Sequence, residues 1–188
     1  MIMKKYTLLF LISVFLFSCA PKQEDAAKED VASSGVNVED RLKELNITLP
    51  EPTPPSGSFA KTVRVGNLVF TSGHGPAKPD SGMVQGRLGA DLTLEQGQEA
   101  ARLTGIALLT SLKAEIGDLN KVKRVVKVLG MVTSTPEFTD QPKVMNAFSD
   151  MMVDIFGDKG KHARSAVGMA ALPGNIAVEI EMIVEVED

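Results

Sequence analysis

The sequence predicts an α+β domain in which two helices cover one face of a single mixed β-sheet. In two stretches the apolar residues recur with the period of an amphipathic helix, and several shorter stretches are rich in β-branched residues. The last stretch alternates between apolar and acidic side chains, the pattern of a half-buried strand. In chain order the elements read β-β-α-β-α-β-β, an arrangement in which both helices can pack on one side of one sheet.

The first two strands are predicted by the turn between them. Residues 62–65 and 68–72 are rich in Val and Thr, and the Gly66-Asn67 pair that separates them is a strong signal for a two-residue hairpin. Residues 73–90 contain many Gly and Pro residues and are predicted to form a loop.

Both long helices are predicted by their boundaries and by an apolar stripe. Thr93 and Gln96 form a capping box that opens the first helix, and Gly117 ends it. The second helix begins near residues 140–142 and runs to Phe156. The stripe of the first helix consists of Ala101, Gly105, Leu108, Leu109, Leu112 and Ile116, and that of the second of Val144, Met145, Phe148, Met152 and Ile155.

Three more strands complete the predicted sheet. Residues 122–133 have the composition of a central strand, and two further strands flank a turn at residues 172–174. The sheet face opposite the helices is expected to be half apolar, which favours self-association through the sheet; a slightly apolar solvent-facing surface is the alternative. This face is expected to carry Glu179, Glu181, Ile183 and Glu185 of the last strand together with Val125, Leu129 and Met131.

The N-terminus has the features of an export signal. A pair of lysines precedes an apolar segment, residues 8–17, that is too short to span a bilayer with ease. It ends in Leu16-Phe17-Ser18-Cys19, which resembles a bacterial lipoprotein processing site, where the chain is cut before the cysteine and the thiol receives a diacylglycerol. We therefore expect Cys19 to be lipidated and to hold the protein in the bacterial cell envelope, facing the periplasm or the cell surface. An ordinary secretory peptide with an incidental cysteine is the alternative.

The expected domain organisation has three parts. Residues 1–18 are the signal peptide, and residues 19–57 hold the lipidated cysteine, a flexible tether, a short helix at residues 38–45 and a Pro-rich extended connector. Residues 58–188 form one domain, which is long enough for a single packed core.

Cysteine content and charge exclude several classes of function. Cys19 is the only cysteine, so the folded domain has no disulfide framework, cysteine zinc site or cysteine nucleophile. His74 and His162 are the only histidines, and two isolated imidazoles do not make up a metal site. The formal net charge of −4 becomes −6 when the signal peptide and its two lysines are removed, so no nucleic-acid partner is expected. The one basic cluster, Lys121, Lys123, Arg124 and Lys127, is divided between two strand faces.

The joint order and spacing of five motifs resembles the Rid/YjgF family, the reactive intermediate deaminases, once called the L-PSP endoribonuclease family. The motifs are GNLVFTSG at residues 66–73, Gly75-Pro76, the first long helix, Ala163-Arg164-Ser165 and VEIE at residues 178–181. The similarity extends over residues 58–186, and the lead-in at residues 41–55 resembles a lipoprotein branch of this family. The resemblance implies a chorismate-mutase-like fold and a homotrimer whose sheets form a central barrel with three clefts between subunits.

The resemblance also implies a chemistry. Family members hydrolyse 2-imino and enamine acids to 2-keto acids and ammonia, and no metal or organic cofactor is implied. Arg164 would clamp the substrate carboxylate with a bidentate pair of hydrogen bonds. The backbone at Ala166 and the carboxylate of Glu179 would position the attacking water. The remaining residues of the implied substrate-binding set are Phe59, Gly73, His74 and Ser149.

Three positions depart from the family's pattern. Phe59 stands where tyrosine is frequent, and Gly168 stands where a carboxylate is frequent. The segment 146–149 has no clear match to the family's asparagine, and counting back from Phe156 places Ser149 at that position. These departures leave anion binding better supported than turnover. Structural alternatives also stay open, because Arg164 could form a salt bridge at a subunit seam and Glu179 could be a solvated strand carboxylate.

The leading hypothesis is a lipid-anchored trimer that binds a small carboxylate at Arg164 and hydrolyses imines. The first alternative is a non-catalytic module that presents its clefts or its sheet to a metabolite or a protein partner. A ribonuclease is disfavoured, because the domain is acidic and lacks a strand of stacking aromatic residues.

Overall fold

The computed structural model describes residues 37–80 and 82–188, which belong to a compact unit of residues 33–188. The predicted signal peptide, Cys19 and nearly all of the tether lie outside the described residues. Within the described part of the chain, no helix has both the length and the apolar character needed to cross a bilayer. The elements are α1 (Val38–Glu44), β1 (Thr62–Val65), β2 (Leu68–Thr71), α2 (Leu94–Ile116), β3 (Val122–Thr133), α3 (Gln141–Phe156), β4 (Ala163–Met169) and β5 (Val178–Val186).

The strands form one five-stranded sheet in the order β1-β2-β5-β3-β4. The pair β3–β4 is parallel and the other pairs are antiparallel, so the sheet is mixed, as predicted. A parallel pair needs a crossover connection, and α3 supplies it between β3 and β4. This places β4 at an edge of the sheet and the last strand of the chain, β5, near its centre. The predicted α+β class and element order are confirmed.

The two long helices begin and end where the sequence indicates. The Thr93 hydroxyl accepts from the Gln96 N–H, and the Gln96 side chain accepts from the Thr93 N–H, which completes the predicted capping box. The apolar stripes of α2 and α3 enter one core with the inward residues of the sheet, and Phe148 and Met145 of α3 are fully buried there. Gly130 of β3 lies directly under the Met145 side chain, so the absence of a side chain at Gly130 lets α3 approach the sheet.

One predicted face assignment is wrong. Leu129 and Met131 lie on the face opposite the helices, as expected, but Val125 is 1% exposed and belongs to the core. The pairing of β3 with β5 shifts register between Val125 and Lys127. An irregularity of this kind inserts a residue and reverses which side chains point inward, so strict alternation from Val125 to Met131 does not hold.

The short helix α1 packs into the same core as the long helices. Val38 and Leu42 of α1 are almost fully buried and join the hydrophobic cluster with Ile47. The Val38 N–H donates to the Asn120 side chain at 2.9 Å, which ties the start of α1 to the segment before β3. Helix α1 precedes residue 58, the expected start of the domain, and nevertheless contributes to the packed core.

The sheet face opposite the helices, here called the open face, carries several exposed apolar side chains. Val63 and Val65 of β1 are 52% and 63% exposed, and Phe70 and Val167 are also exposed. The register aligns Phe70 with Ile183 of β5, so these side chains share the face that also carries Glu179 and Glu181. No helix among the described elements covers this face, whereas α2 and α3 cover the other.

We expect Gly160→Ala to destabilise the domain by about 1–3 kcal/mol, the usual cost of forcing extra volume into a packed site. A methyl group at position 160 would overlap the backbone of α3 at Met152 and Val153, which cannot rotate aside. Urea denaturation followed by circular dichroism would measure the change. Gly57→Ala is the matched control, because the nearest atoms there lie at 3.4 Å, an ordinary contact distance. Equal stability of the two variants would contradict the expectation.

Candidate functional site

Arg164 is anchored between the edge of the sheet and α3. It is the second residue of β4 and lies opposite the buried Val128 of β3, so its side chain points to the helix face of the sheet. There the guanidinium donates to the Ser149 hydroxyl at 2.9 Å, the Asn146 side-chain oxygen at 3.1 Å and the Pro142 carbonyl at 3.3 Å. These three acceptors recur at helical spacing along one side of α3.

The positive charge of Arg164 is not neutralised within the described residues. All three of its acceptors are uncharged, and none of the ion pairs in the described part of the chain includes it. An oriented guanidinium without a carboxylate partner is suited to binding an anion. An intrachain salt bridge is therefore not its role in the described structure.

Ser149 and His162 extend this arrangement into a chain of hydrogen bonds. His162 Nδ1 lies 2.7 Å from the Gly160 carbonyl oxygen, and since a carbonyl can only accept, Nδ1 carries the proton. His162 Nε2 then accepts from the Ser149 hydroxyl at 3.0 Å, and the Ser149 oxygen accepts in turn from Arg164. Phe148 packs edge-on against the imidazole, with ring centroids 5.9 Å apart. The side chains of Arg164, Asn146, Ser149 and His162 are called the arginine cluster below.

The surroundings of His162 keep its imidazole neutral. Burial lowers the pKa of His162, and the positive charge of Arg164 lowers it further, although the hydrogen bond to Gly160 acts in the opposite direction. Because the ordinary histidine pKa is about 6.5, the imidazole is neutral at pH 7.

The side chains of the arginine cluster border a cavity. This cavity has a volume of about 420 Å³ and is lined by Ser149, Val153, Lys161, His162 and Arg164.

Glu179 lies on the other side of the sheet. It is opposite Met131 on the open face, and its carboxylate lies directly over Gly73, where no side chain could be accommodated. Burial raises the pKa of Glu179, and the negative charge of the neighbouring Glu181 raises it further. The pair of Glu179 and Gly73 is called the glutamate cluster below.

A single chain does not bring the two clusters together. Arg164 shares a face with Val128, and Ala166 shares the same face two residues further along β4, whereas Glu179 shares the opposite face with Met131. The strand β3 also separates β4 from β5. A site that uses both Arg164 and Glu179 therefore has to be assembled from more than one chain.

The other residues implied by the resemblance have different surroundings. His74 is 8% exposed, and its backbone pairs with Ile180 through two hydrogen bonds. Its imidazole points toward α2, where Nε2 contacts the Ser111 hydroxyl at 2.7 Å, so it faces away from Glu179. Burial lowers the pKa of His74 as well. Phe59 is 49% exposed in the segment before β1.

Sequence reasoning missed two members of the arginine cluster. From the sequence, Asn146 has no assigned role, and His162 is one of two isolated imidazoles. The spacing of Asn146 and Ser149, three residues apart on one helical face, was a signal that could have linked them. The contact of His162 with Ser149 could not be read from the sequence, because it depends on how β4 returns along α3.

The absence of a side chain at position 168 has a structural reason. A side chain at this position would collide with Gln141 Nε2 and the Ser134 hydroxyl, 2.7 and 2.9 Å from the place of its first carbon. Gln141 instead donates to Ser134 and to the Phe138 carbonyl. Gly168 thus makes room for Gln141 at the start of α3. Both residues line a second cavity of about 440 Å³.

Comparison with known proteins agrees with this fold. A family model described as "YjgF/chorismate_mutase-like, putative endoribonuclease" matches residues 39–186. Protein TCP17 of Trypanosoma cruzi is 40% identical over 159 residues, which cover 84% of this chain and 99% of that protein. A 2-iminobutanoate/2-iminopropanoate deaminase of Dermatophagoides farinae is 34% identical over 143 residues, with 75% and 95% covered.

A solved structure gives the same result. The protein Atu1372 of Agrobacterium tumefaciens is 41% identical, covers 80% of this chain and 94% of its own, and superposes with a TM-score of 0.74. The family match begins inside α1, in agreement with the burial of that helix in the core. On these grounds the chain belongs to the YjgF/chorismate mutase-like family, the Rid or L-PSP family of the motifs described above.

Proposed function

We propose that this protein binds a small carboxylate at Arg164 and hydrolyses 2-imino acids to 2-keto acids and ammonia. The observation that carries the proposal is the Arg164 guanidinium, which is fixed by three uncharged acceptors beside a cavity and has no carboxylate partner in the described residues. These three acceptors use three of its five N–H groups and leave two for a ligand. The name of the Dermatophagoides farinae relative, a 2-iminobutanoate/2-iminopropanoate deaminase that is 34% identical, supports the reaction class.

We infer that the complete site lies between subunits of a homotrimer. Arg164 and Glu179 are on opposite faces of the sheet within one chain, so the glutamate cluster of a neighbouring copy has to meet the arginine cluster of the first. The exposed apolar residues of the open face support burial of that face in an oligomer. A cleft between copies would then contain one cluster from each.

The proposed reaction needs positioning more than covalent chemistry. Arg164 holds the carboxylate of the protonated imine, whose carbon is already electrophilic. Glu179 of the neighbouring subunit removes a proton from the water that adds to this carbon, and its raised pKa brings it closer to the pH at which a general base is most effective. Glu179 then returns this proton to the amino group of the adduct. The carbon–nitrogen bond breaks, ammonia leaves, and the hydroxyl proton passes to Glu179 as the carbonyl of the 2-keto acid forms.

The other residues have supporting roles in the proposal. Gly73 allows the Glu179 carboxylate and a ligand to approach the backbone closely. The backbone at Ala166 helps to position the water, and Ser149 orients Arg164. Phe59 and the His74 backbone complete the walls of the cleft.

We further propose that Cys19 carries a lipid that holds the protein in the bacterial cell envelope. The processing-site sequence at residues 16–19 supports this proposal. In a bacterial host, Cys19→Ala is expected to move the protein from the membrane fraction to the soluble fraction, whereas Ser18→Ala should leave it membrane-bound. Recovery of both variants in the same fraction as the unaltered protein would argue against the lipid anchor.

The carboxylate-binding role of Arg164 can be measured directly. We expect Arg164→Ala to weaken the binding of 2-oxobutanoate about 10- to 100-fold, because hydrogen bonds to charged groups contribute about 1.5–3 kcal/mol. Isothermal titration calorimetry would give the affinities. Arg102→Ala on α2 is the matched control, since it removes the same charge away from the site. Unchanged affinity in Arg164→Ala would rule out this binding site.

The shared site predicts complementation between inactive variants. Arg164→Ala and Glu179→Gln are each expected to lose most of the acceleration of 2-oxobutanoate release when imine is generated from threonine by a threonine dehydratase. Co-expression should restore up to about a quarter of the activity, because one site in four then receives an intact half from each variant. The assay reads keto-acid release over buffer.

Two outcomes would count against the proposal in different ways. If the unaltered protein binds 2-oxobutanoate but does not accelerate imine hydrolysis, the non-catalytic binding module is the better description. If the protein is active but mixed oligomers of the two variants stay inactive, the site is not shared between subunits.

A further inference from the structure

The described residues contain two arrangements in which a histidine links a serine to a backbone carbonyl. In the first, His162 joins the Ser149 hydroxyl at 3.0 Å to the Gly160 carbonyl at 2.7 Å. In the second, His74 joins the Ser111 hydroxyl at 2.7 Å to the Ser72 carbonyl at 2.8 Å. In both, the carbonyl fixes the proton on Nδ1 and leaves Nε2 to accept from the serine.

The surroundings of the two arrangements differ. Ser111 is 5% exposed and His74 is 8% exposed, so the second arrangement is closed off from solvent and serves the packing of α2 on the sheet. Ser149 and His162 instead line the cavity of about 420 Å³. Ser149 also accepts from the Arg164 guanidinium at 2.9 Å, and Ser111 has no arginine partner among its hydrogen bonds in the described residues.

We propose that Ser149 is the nucleophile, and His162 the general base, of a second activity in which the protein hydrolyses small carboxylic esters. The geometry carries the proposal: a serine and a histidine lie within hydrogen-bond reach, a third group orients the histidine, and the pair opens into a cavity. Arg164 adds a positive charge where negative charge would develop on the serine oxygen and on the substrate.

The sequence context supports a role outside the family's deaminase chemistry. The segment 146–149 has no clear match to the family's asparagine, and counting back from Phe156 places Ser149 at that position. Imine hydrolysis needs no serine nucleophile. The neutral state of His162 at pH 7 agrees with a base, and the groups that face it are Ser149 and Phe148 of α3, Arg164 of β4 and the adjacent Lys161. None of these is a carboxylate that would hold His162 in its protonated form.

The proposed reaction proceeds in two balanced steps. The Ser149 oxygen attacks the ester carbonyl carbon while its proton passes to His162 Nε2, and Arg164 stabilises the oxyanion. The carbon–oxygen bond to the alcohol breaks, and the alcohol leaves with the proton from His162. Water then attacks the acyl-serine, gives a proton to His162 and releases the carboxylic acid, and the proton returns to Ser149.

The cavity indicates the class of ester. Its volume is at the small end of the range for ligand sites, about 300–1,000 Å³, so a short acyl group is expected. Arg164 at its wall attracts a carboxylate product or an acidic substituent, whereas Lys161 is paired with Asp158, and Val153 provides an apolar contact for the acyl chain. The unaltered full-length chain can be tested with p-nitrophenyl acetate and with a fluorophosphonate.

The decisive measurement is the site of covalent labelling. We expect the fluorophosphonate to add one phosphonyl group to Ser149, located by peptide mass spectrometry, and p-nitrophenyl acetate to give a burst of about one p-nitrophenolate per chain. Ser149→Ala should abolish the label, and His162→Gln should slow labelling about 100-fold or more, as expected for loss of a general base.

Two controls separate the proposal from general reactivity and from misfolding. Ser111→Ala removes the hydroxyl of the buried arrangement, and Ser165→Ala removes a hydroxyl on β4 that accepts from Lys127, so both should label like the unaltered protein. Ser149→Cys preserves a nucleophile at the same position and should be acylated. No label, a label on another residue, or equal labelling of Ser149→Ala would each overturn the proposal. Because this readout needs no imine, it is independent of the deaminase assay.

Discussion

The alternation along β5 divides the whole molecule into two environments. Val178, Ile180 and Met182 point into the core beneath α2 and α3, and each buried apolar side chain contributes about 1.5–3 kcal/mol. Glu179 and Glu181 are thereby directed to the open face. Because β5 pairs with both β2 and β3, the division of its side chains between two faces also fixes which side chains of β2 and β3 face the core. Arg164 and Glu179, the two charged groups of the candidate site, belong to different environments.

This division explains why the candidate site is split. Arg164 is on the helix face because its partner Val128 is a core residue, and α3 then supplies its uncharged acceptors. Glu179 is on the open face for the opposite reason, and its burial against Gly73 raises its pKa. A change of parity in either strand would move one group across the sheet and also place a charge in the core. The separation of Arg164 from Glu179 is therefore a consequence of how the core is packed. In the proposed oligomer, contact with a second copy of the chain brings the two groups together.

The arginine cluster has a chemical character that follows from its partners. A carboxylate next to Arg164 would neutralise it, whereas amide, hydroxyl and carbonyl oxygens hold its orientation and leave its charge available. The same hydroxyl connects the guanidinium to a neutral imidazole. Anion binding and nucleophilic chemistry thus draw on one hydrogen-bond chain, whereas the pair of Ser111 and His74 is buried between α2 and the sheet.

The sequence by itself determined the class of the fold, the five strands and both long helices, since the hydrophobic period, the capping box at Thr93 and the Gly66 turn are local signals. It also singled out Arg164 and Glu179. Tertiary structure decided the rest. A register shift placed Val125 in the core, the path of α3 brought Asn146 and Ser149 to Arg164, and the return of β4 brought His162 to Ser149. These contacts join residues from different elements, and the relative position of two elements is set by the packing of the whole core rather than by any short stretch of sequence.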